Sequence, residues 1–260
     1  NLSSKGLSYI YRVILEGAEG AKFDQWQYDN NKTVREHFLS NGKSAHVEKG
    51  HIKIGDRYST VLTVKTLPEY QDYSNFLSIA GDTQYGESIL NGNFVINLNI
   101  EIQDFGKLYD KVTTKRKVNQ VQAFGPMAKW VPSLVGKKGQ FDALFEALDE
   151  GEKPVRSYLS VIVTERSEKE LETSVQSTVS YLRDKVKIHF LQDNYFVLPL
   201  FLNALPLGAD PKAANDLQRY KTMSTGQTAQ FAPVLCDWKG TGTHSLVLFS
   251  RSGQIMSFDP

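Results

Sequence analysis

One cysteine and three methionines in 260 residues leave little room for covalent cross-linking or thiol chemistry. Cys236 stands alone, so no internal disulfide can form, and such sparse thiol usage points to a reducing compartment. In that setting the Asn31-Lys32-Thr33 sequon carries no meaning. Long apolar runs are also missing. The longest, 195–202, contains Pro199 and falls well short of the roughly 20 residues that cross a bilayer. Neither sign of charge is in excess: 30 Lys+Arg stand against 29 Asp+Glu, a formal net charge of +1, which excludes a chain-wide polyelectrolyte. With 40% hydrophobic and 23% charged residues, the composition is that of a globular chain long enough for one large domain or two ordinary ones. No internal repeat or low-complexity tract is present. The first residue is Asn1 rather than Met and no charged-then-apolar leader follows it, so we expect no signal peptide and read both ends as cuts in a longer chain.

The period of the apolar residues separates strand from helix. Across 93–103, Phe94, Ile96, Leu98, Ile100 and Ile102 alternate with a mostly polar set, which predicts a strand in a sheet with one side toward water. Further strands are expected at 8–15, 51–54 and 58–66, the last two joined by a turn at Gly55-Asp56-Arg57. A short helix is expected at 72–80. Phe105, Leu108, Tyr109, Val112 and Val121 predict a helix over 105–123, ended by Gly125-Pro126, and a second follows over 141–148. A buried strand at 155–164 leads to Ser167 and Glu170, at capping-box spacing, then to a helix carrying Leu171, Val175, Val179, Leu182 and Val186, and to a short strand at 187–190. The two strand–helix–strand units, 58–103 and 155–190, give the β-α-β-β-α-β order of a ferredoxin-like sandwich in an α+β fold, with a helical hairpin inserted at about 104–152. We therefore expect an amino-terminal α+β domain over 1–204. A connector follows over 205–260 and closes in a hairpin, 245–250 with 254–258.

Sites for catalysis do not emerge. Gly42-Lys43-Ser44 resembles the end of a phosphate-binding loop, but His37 occupies the position of its first glycine. Gly240-Thr241-Gly242 lacks the third glycine of a dinucleotide fingerprint, where Ser245 stands. His37, His46, His51, His189 and His244 show no metal-binding spacing, and His189 reads as a core histidine. Cys236 and His244 lack the surroundings of a nucleophilic pair, and Glu146, Asp149, Glu150 and Glu152 read as a solvated surface. No catalytic, cofactor-binding or metal-binding residue is assigned. Charge, however, is uneven. Lys107, Lys111, Lys115, Arg116, Lys117, Lys129, Lys137 and Lys138 stand against Asp110 alone, and the first three are four residues apart on one helix face. Such a run is either a solvated face or a surface for nucleic acid, anionic lipid headgroups or an acidic partner. Among the lysines of 107–117 the one interleaved aromatic is Tyr109, which speaks against single-strand stacking.

The final fifth carries a series of spaced motifs: Leu205-Pro206-Leu207-Gly208-Ala209, Thr222-Met223-Ser224-Thr225, Ala232-Pro233-Val234, Trp238-Lys239-Gly240-Thr241-Gly242, Ser250-Arg251-Ser252-Gly253-Gln254 and Phe258-Asp259-Pro260. Together they resemble the stretch just upstream of the phosphate-binding loop in the TraC-type large ATPase family of F-type conjugative type IV secretion systems. Val64-Lys65-Thr66-Leu67-Pro68 also resembles a strand of that family's amino-terminal region. The resemblance is dense over 205–260 and diffuse before it. It implies a cytoplasmic motor subunit, peripheral to the inner membrane, that powers pilus assembly and export. Its amino-terminal region would dock onto channel proteins of the inner membrane and onto neighbouring subunits in an oligomer. ATP and magnesium would bind a RecA-like domain that the closing hairpin begins, and no catalytic residue transfers to a position of this chain. The alternative is a nucleic-acid-binding module that uses the basic 107–138 region.

Overall fold

Leu159, Val161 and Val163 on one side of β5 (Pro154–Glu165) and Tyr158 and Ile162 on the other are all buried, so this strand must lie at the centre of a sheet covered on both faces. The computed structural model describes residues 3–17, 29–39, 43–68, 79, 90, 92–124, 130–131, 133–232, 246–249 and 255–258. Among them, seven strands form one sheet in which every pairing is antiparallel. β5 pairs on one edge with β4 (Asn93–Glu101) in nine continuous residue pairs. Its other edge is shared end to end by β3 (Arg57–Thr66) and β7 (Lys221–Ser224). The far edge of β3 is shared in the same way by β2 (His51–Ile54) and β6 (His189–Gln192), and β1 (Ala45–Glu48) closes a hairpin on β2. Gly50 makes that hairpin's turn at φ +87, and its carbonyl accepts a 2.7 Å hydrogen bond from the Thr60 hydroxyl.

Helices pack both faces. On one, α5 (Glu168–Asp184) sets Leu171, Val175 and Leu182 against Leu62, Val64, Leu159, Val161 and Val163. Half of the expected capping box is present: Ser167 Oγ accepts from the Glu170 amide at 3.3 Å, and Glu168 and Glu170 place negative charge at the amino-terminal end of the helix dipole. On the other face lie α1 (Ser4–Glu16), with Ile14 and Leu15, and α6 (Val197–Ala204), with Val197, Leu200, Phe201 and Ala204. A short α2 (Val34–Phe38) stacks Phe38 on Tyr11 at 4.5 Å. Between β4 and β5 the chain forms two helices, α3 (Phe105–Phe124) and α4 (Ser133–Asp149). α7 (Pro211–Asp216) and α8 (Thr225–Ala229) flank β7, and β8 (Leu246–Phe249) pairs with β9 (Ile255–Phe258) as a separate hairpin.

Several expectations are corrected. Residues 8–15 belong to helix α1: Ile10, Tyr11, Ile14 and Leu15 recur at three- and four-residue steps, and Ser3 caps the helix. Their β-branched and aromatic character had masked that period. The polar side of 93–103 is not the water-facing side of a one-sided sheet. The sheet is covered on both faces, and β4 is partly exposed because it lies at the border of the sheet. α4 begins at Ser133 rather than 141 and runs through Gly136 and Gly139, neither of which has a positive φ. The strand expected at 187–190 sits two residues later, after Lys187 at φ 61. There Phe190 is buried and His189 is exposed, so it is not a core histidine. The helix at 72–80 and the break at Gly125-Pro126 lie outside the described residues.

Candidate functional site

The α3–α4 hairpin carries the basic run. Asp104 starts α3 by accepting from the Lys107 amide at 3.1 Å. Leu108 and Val112 then pack against Leu144 and Phe145 of α4, with Tyr109, Phe141 and Leu148 partly buried around them. Tyr109 meets the Phe145 ring edge-on at 5.7 Å. Val121, grouped with these residues on spacing, is 76% exposed. Thirteen residues on from Leu108, it falls about 220° round the helix at about 100° per residue.

The basic residues divide into two groups. Arg116 lies over the Phe145 ring at 4.4 Å and reaches Asp142 Oδ1 at 2.8 Å, while Lys138 is 3.7 Å from Asp142 Oδ2 and covers Phe124 at 5.0 Å. These two hold the helices together. Lys107, Lys111, Lys115, Lys117 and Lys137 are exposed, with no ion pair to another described residue. Lys129 lies outside the described residues. Between the two helices an open groove of about 570 Å³ is lined by Lys115 and Lys137, by Asn119, Gln122 and Gln140, and by Lys221 from β7. Burial, with the Arg219 charge nearby, pushes the Lys221 ammonium below its ordinary pKa, and its Nζ donates to the Lys65 carbonyl at 3.0 Å. Asn119 is buried, and its Oδ1 has no hydrogen-bond partner among the described residues.

Sequence reading missed the apolar end of this hairpin. Val118 is 52% exposed, Phe124 78% and Trp130 86%, beside Val121. Val118 also lines the groove between the helices, whereas Val121 and Phe124 lie on the side of α3 away from Leu108.

Elsewhere the residues tested for chemistry have structural roles. Lys43 lies 4.0 Å from Glu16 and 3.9 Å from Asp56, and Gly42 lies outside the described residues. His37 is buried with Nε2 3.1 Å from the Asp29 carbonyl, and His46 meets Ser44 at 2.9 Å. His51 is buried against Tyr58, 3.4 Å from Glu48. Glu146, Asp149 and Glu150 are exposed, whereas Glu152 accepts from the Gly226 amide at 2.7 Å. Among the described residues no group of three His, Cys, Asp or Glu side chains could hold a metal ion, and no helix is long and apolar enough to cross a membrane. Cys236, Gly240, Thr241, Gly242 and His244 lie outside the described residues.

No curated protein matches the chain. The family model described as TraC protein matches residues 2–209, a span that takes in α1, β1–β6 and the basic hairpin, where the motif resemblance was diffuse. A match over most of the sequence decides the assignment: the chain belongs to the TraC protein family of conjugative type IV secretion.

Proposed function

We propose that this chain is the docking and assembly region of a conjugation ATPase, engaging inner-membrane channel proteins and neighbouring subunits through surfaces that include the α3–α4 hairpin. The observation that carries the reading is the family match over 2–209. The hairpin adds a physical reason: it stands apart from the sheet's core on its own small apolar cluster and presents Lys107, Lys111, Lys115, Lys117 and Lys137 to solvent. We read the sheet as ferredoxin-like with this hairpin as its insertion. Support comes from the strand order β6-β3-β5-β4, antiparallel throughout, with α5 between β5 and β6 in sequence. Because β7 pairs with β5, the docking domain would run past 204 to about β7 and α8. The β8–β9 hairpin would open a RecA-like domain, and ATP and magnesium would belong there. On this reading the protein sits at the cytoplasmic side of the inner membrane as part of an oligomer.

Co-purification tests it. A tagged 260-residue chain expressed beside the conjugation apparatus should recover its inner-membrane channel proteins from detergent-solubilised membranes. Combined Lys115→Glu, Lys117→Glu and Lys137→Glu substitutions should reduce that recovery. Recovery of no channel protein by the unsubstituted chain would refute the docking role.

A further inference from the structure

The docking reading leaves open what the groove between α3 and α4 holds. Lys115, Asn119 and Gln122 recur at steps of four and three on α3, and Lys137 and Gln140 at a step of three on α4, so each set shares one helix face. Both faces line the same groove of about 570 Å³, and Lys221 of β7 lines it with them. Three ammonium groups and three carboxamides therefore border one space, and no carboxylate is among its described lining residues. Two of these groups lack what their surroundings require. Asn119 is 6% exposed, yet its Oδ1 accepts no hydrogen bond from any described residue, a costly state for a buried acceptor. Lys221 is partly buried and its Nζ donates to the Lys65 carbonyl, but it has no carboxylate partner among the described residues. A ligand that satisfies both must bring negative charge and a hydrogen-bond donor. A fully ionised phosphate or a DNA backbone supplies the first and not the second. Stacking of a single strand is also poorly served, because Phe141 is the one aromatic among the described lining residues and it already packs in the hairpin's apolar cluster. An acidic peptide supplies both: its backbone N–H donates, and its Asp or Glu carboxylates accept from ammonium groups. From Lys115 to Gln122 the groove follows α3 for about 10 Å at about 1.5 Å per residue, about the length of three extended residues.

We propose that the α3–α4 groove binds a short acidic segment of a protein partner in extended form. Its carboxylates meet Lys115, Lys137 and Lys221, a backbone N–H donates to Asn119 Oδ1, and Gln122 and Gln140 take up further backbone groups. This rests on the docking reading and names the chemistry that the hairpin recognises.

The probe is a fluorescein-labelled, end-blocked peptide, Gly-Asp-Glu-Asp-Glu-Gly, titrated with the 260-residue chain at low salt and followed by fluorescence anisotropy. It should bind with a dissociation constant below about 1 mM, and the same peptide with Asn and Gln in place of Asp and Glu should not. Lys115→Gln and Lys137→Gln should each weaken binding about threefold, as expected of exposed charge pairs. Lys221→Met should weaken it about tenfold, because its ammonium is less exposed. Asn119→Leu removes the buried acceptor, so binding should fall about fivefold while the melting temperature holds or rises. The lysine variants lie at the surface and keep the test valid if Asn119→Leu does not fold. Absence of peptide binding would overturn the proposal. So would equal binding of the uncharged peptide, unchanged affinity when Lys115→Gln, Lys137→Gln and Lys221→Met are combined, or displacement of the probe by oligodeoxythymidylate or inorganic triphosphate at lower concentration than by unlabelled peptide. If peptide binding fails while channel proteins still co-purify, the groove claim falls and the docking role stands.

Discussion

Asp193, just after β6, and Arg219, just before β7, form a pair whose removal tests whether the region beyond 204 is one cooperative unit with the sheet. The guanidinium engages both carboxylate oxygens, Nη2 to Oδ1 at 2.8 Å and Nε to Oδ2 at 3.0 Å, with the side chains 29% and 15% exposed. That hydrogen bonding raises the pKa of Arg219 above its already high value, so its charge is permanent. Asp193→Ala would leave the cation half-buried without its partner. Hydrogen bonds to charged groups contribute roughly 1.5–3 kcal/mol, and partial solvent contact lowers the figure, so about 2 kcal/mol of stability should be lost. At about 2–4 °C per kcal/mol for a chain of this size, the melting temperature should fall by about 4–8 °C. Urea unfolding of the wild type, both single variants and Asp193→Ala/Arg219→Ala closes a double-mutant cycle. It should return a coupling of roughly 1.5 kcal/mol with a single transition throughout. A coupling below about 0.3 kcal/mol, or a separate early transition for 205–232, would refute the idea that this pair ties β7 and α8 into the fold.

Phe145→Ala removes the ring that Arg116 covers and Tyr109 meets edge-on, and should destabilise the hairpin by about 3 kcal/mol. Hydrogen exchange should accelerate in α3 and α4 before β5, as expected for a local unit. Ser167→Ala removes the α5 cap and should cost about 1 kcal/mol, read from urea unfolding, with little change if Asp replaces Ser instead. Burial holds the Tyr158 phenol well above its ordinary pKa in the folded state, where its hydroxyl donates to the Leu200 carbonyl at 3.3 Å. A raised folded pKa contributes stability below the unfolded value of about 10, and that contribution is lost as pH rises beyond it, because only the unfolded chain ionises freely. The stability of Tyr158→Phe should therefore depend less steeply on pH above 10 than that of the wild type, as followed by alkaline urea titrations.

Much of the architecture was legible where a single period dominates. Val155, Leu159, Val161, Ile162 and Val163 announce the buried centre of the sheet, and Ser167 with Glu170 fixes the start of α5. The helix at 4–16 was misread because Ile10, Tyr11 and Ile14 favour strands by type, and the spacing that argues for a helix is short. β7 was not anticipated. Thr222 and Met223 carry little period of their own and become strand by pairing with Arg156 and Val155. Motif glycines had physical reasons that spacing alone could not supply: a Cβ on Gly208 would collide with the Leu202 carbonyl at the end of α6. The basic surface was legible in composition, yet Arg116 and Lys138 are held by Asp142, and which lysines remain exposed depends on the packing of two helices. The spacing that predicts α3 includes Val121, which the structure leaves 76% exposed.

Conjugative transfer in cells that overproduce the 260-residue chain beside an intact apparatus tests the central claim most directly. A docking region should occupy sites needed by the working subunit, so transfer frequency should fall steeply with the unsubstituted chain. It should recover when Lys115→Glu, Lys117→Glu and Lys137→Glu are introduced at matched expression. Transfer that is undiminished by the unsubstituted chain, or equally diminished by both, would contradict a docking role for the α3–α4 hairpin.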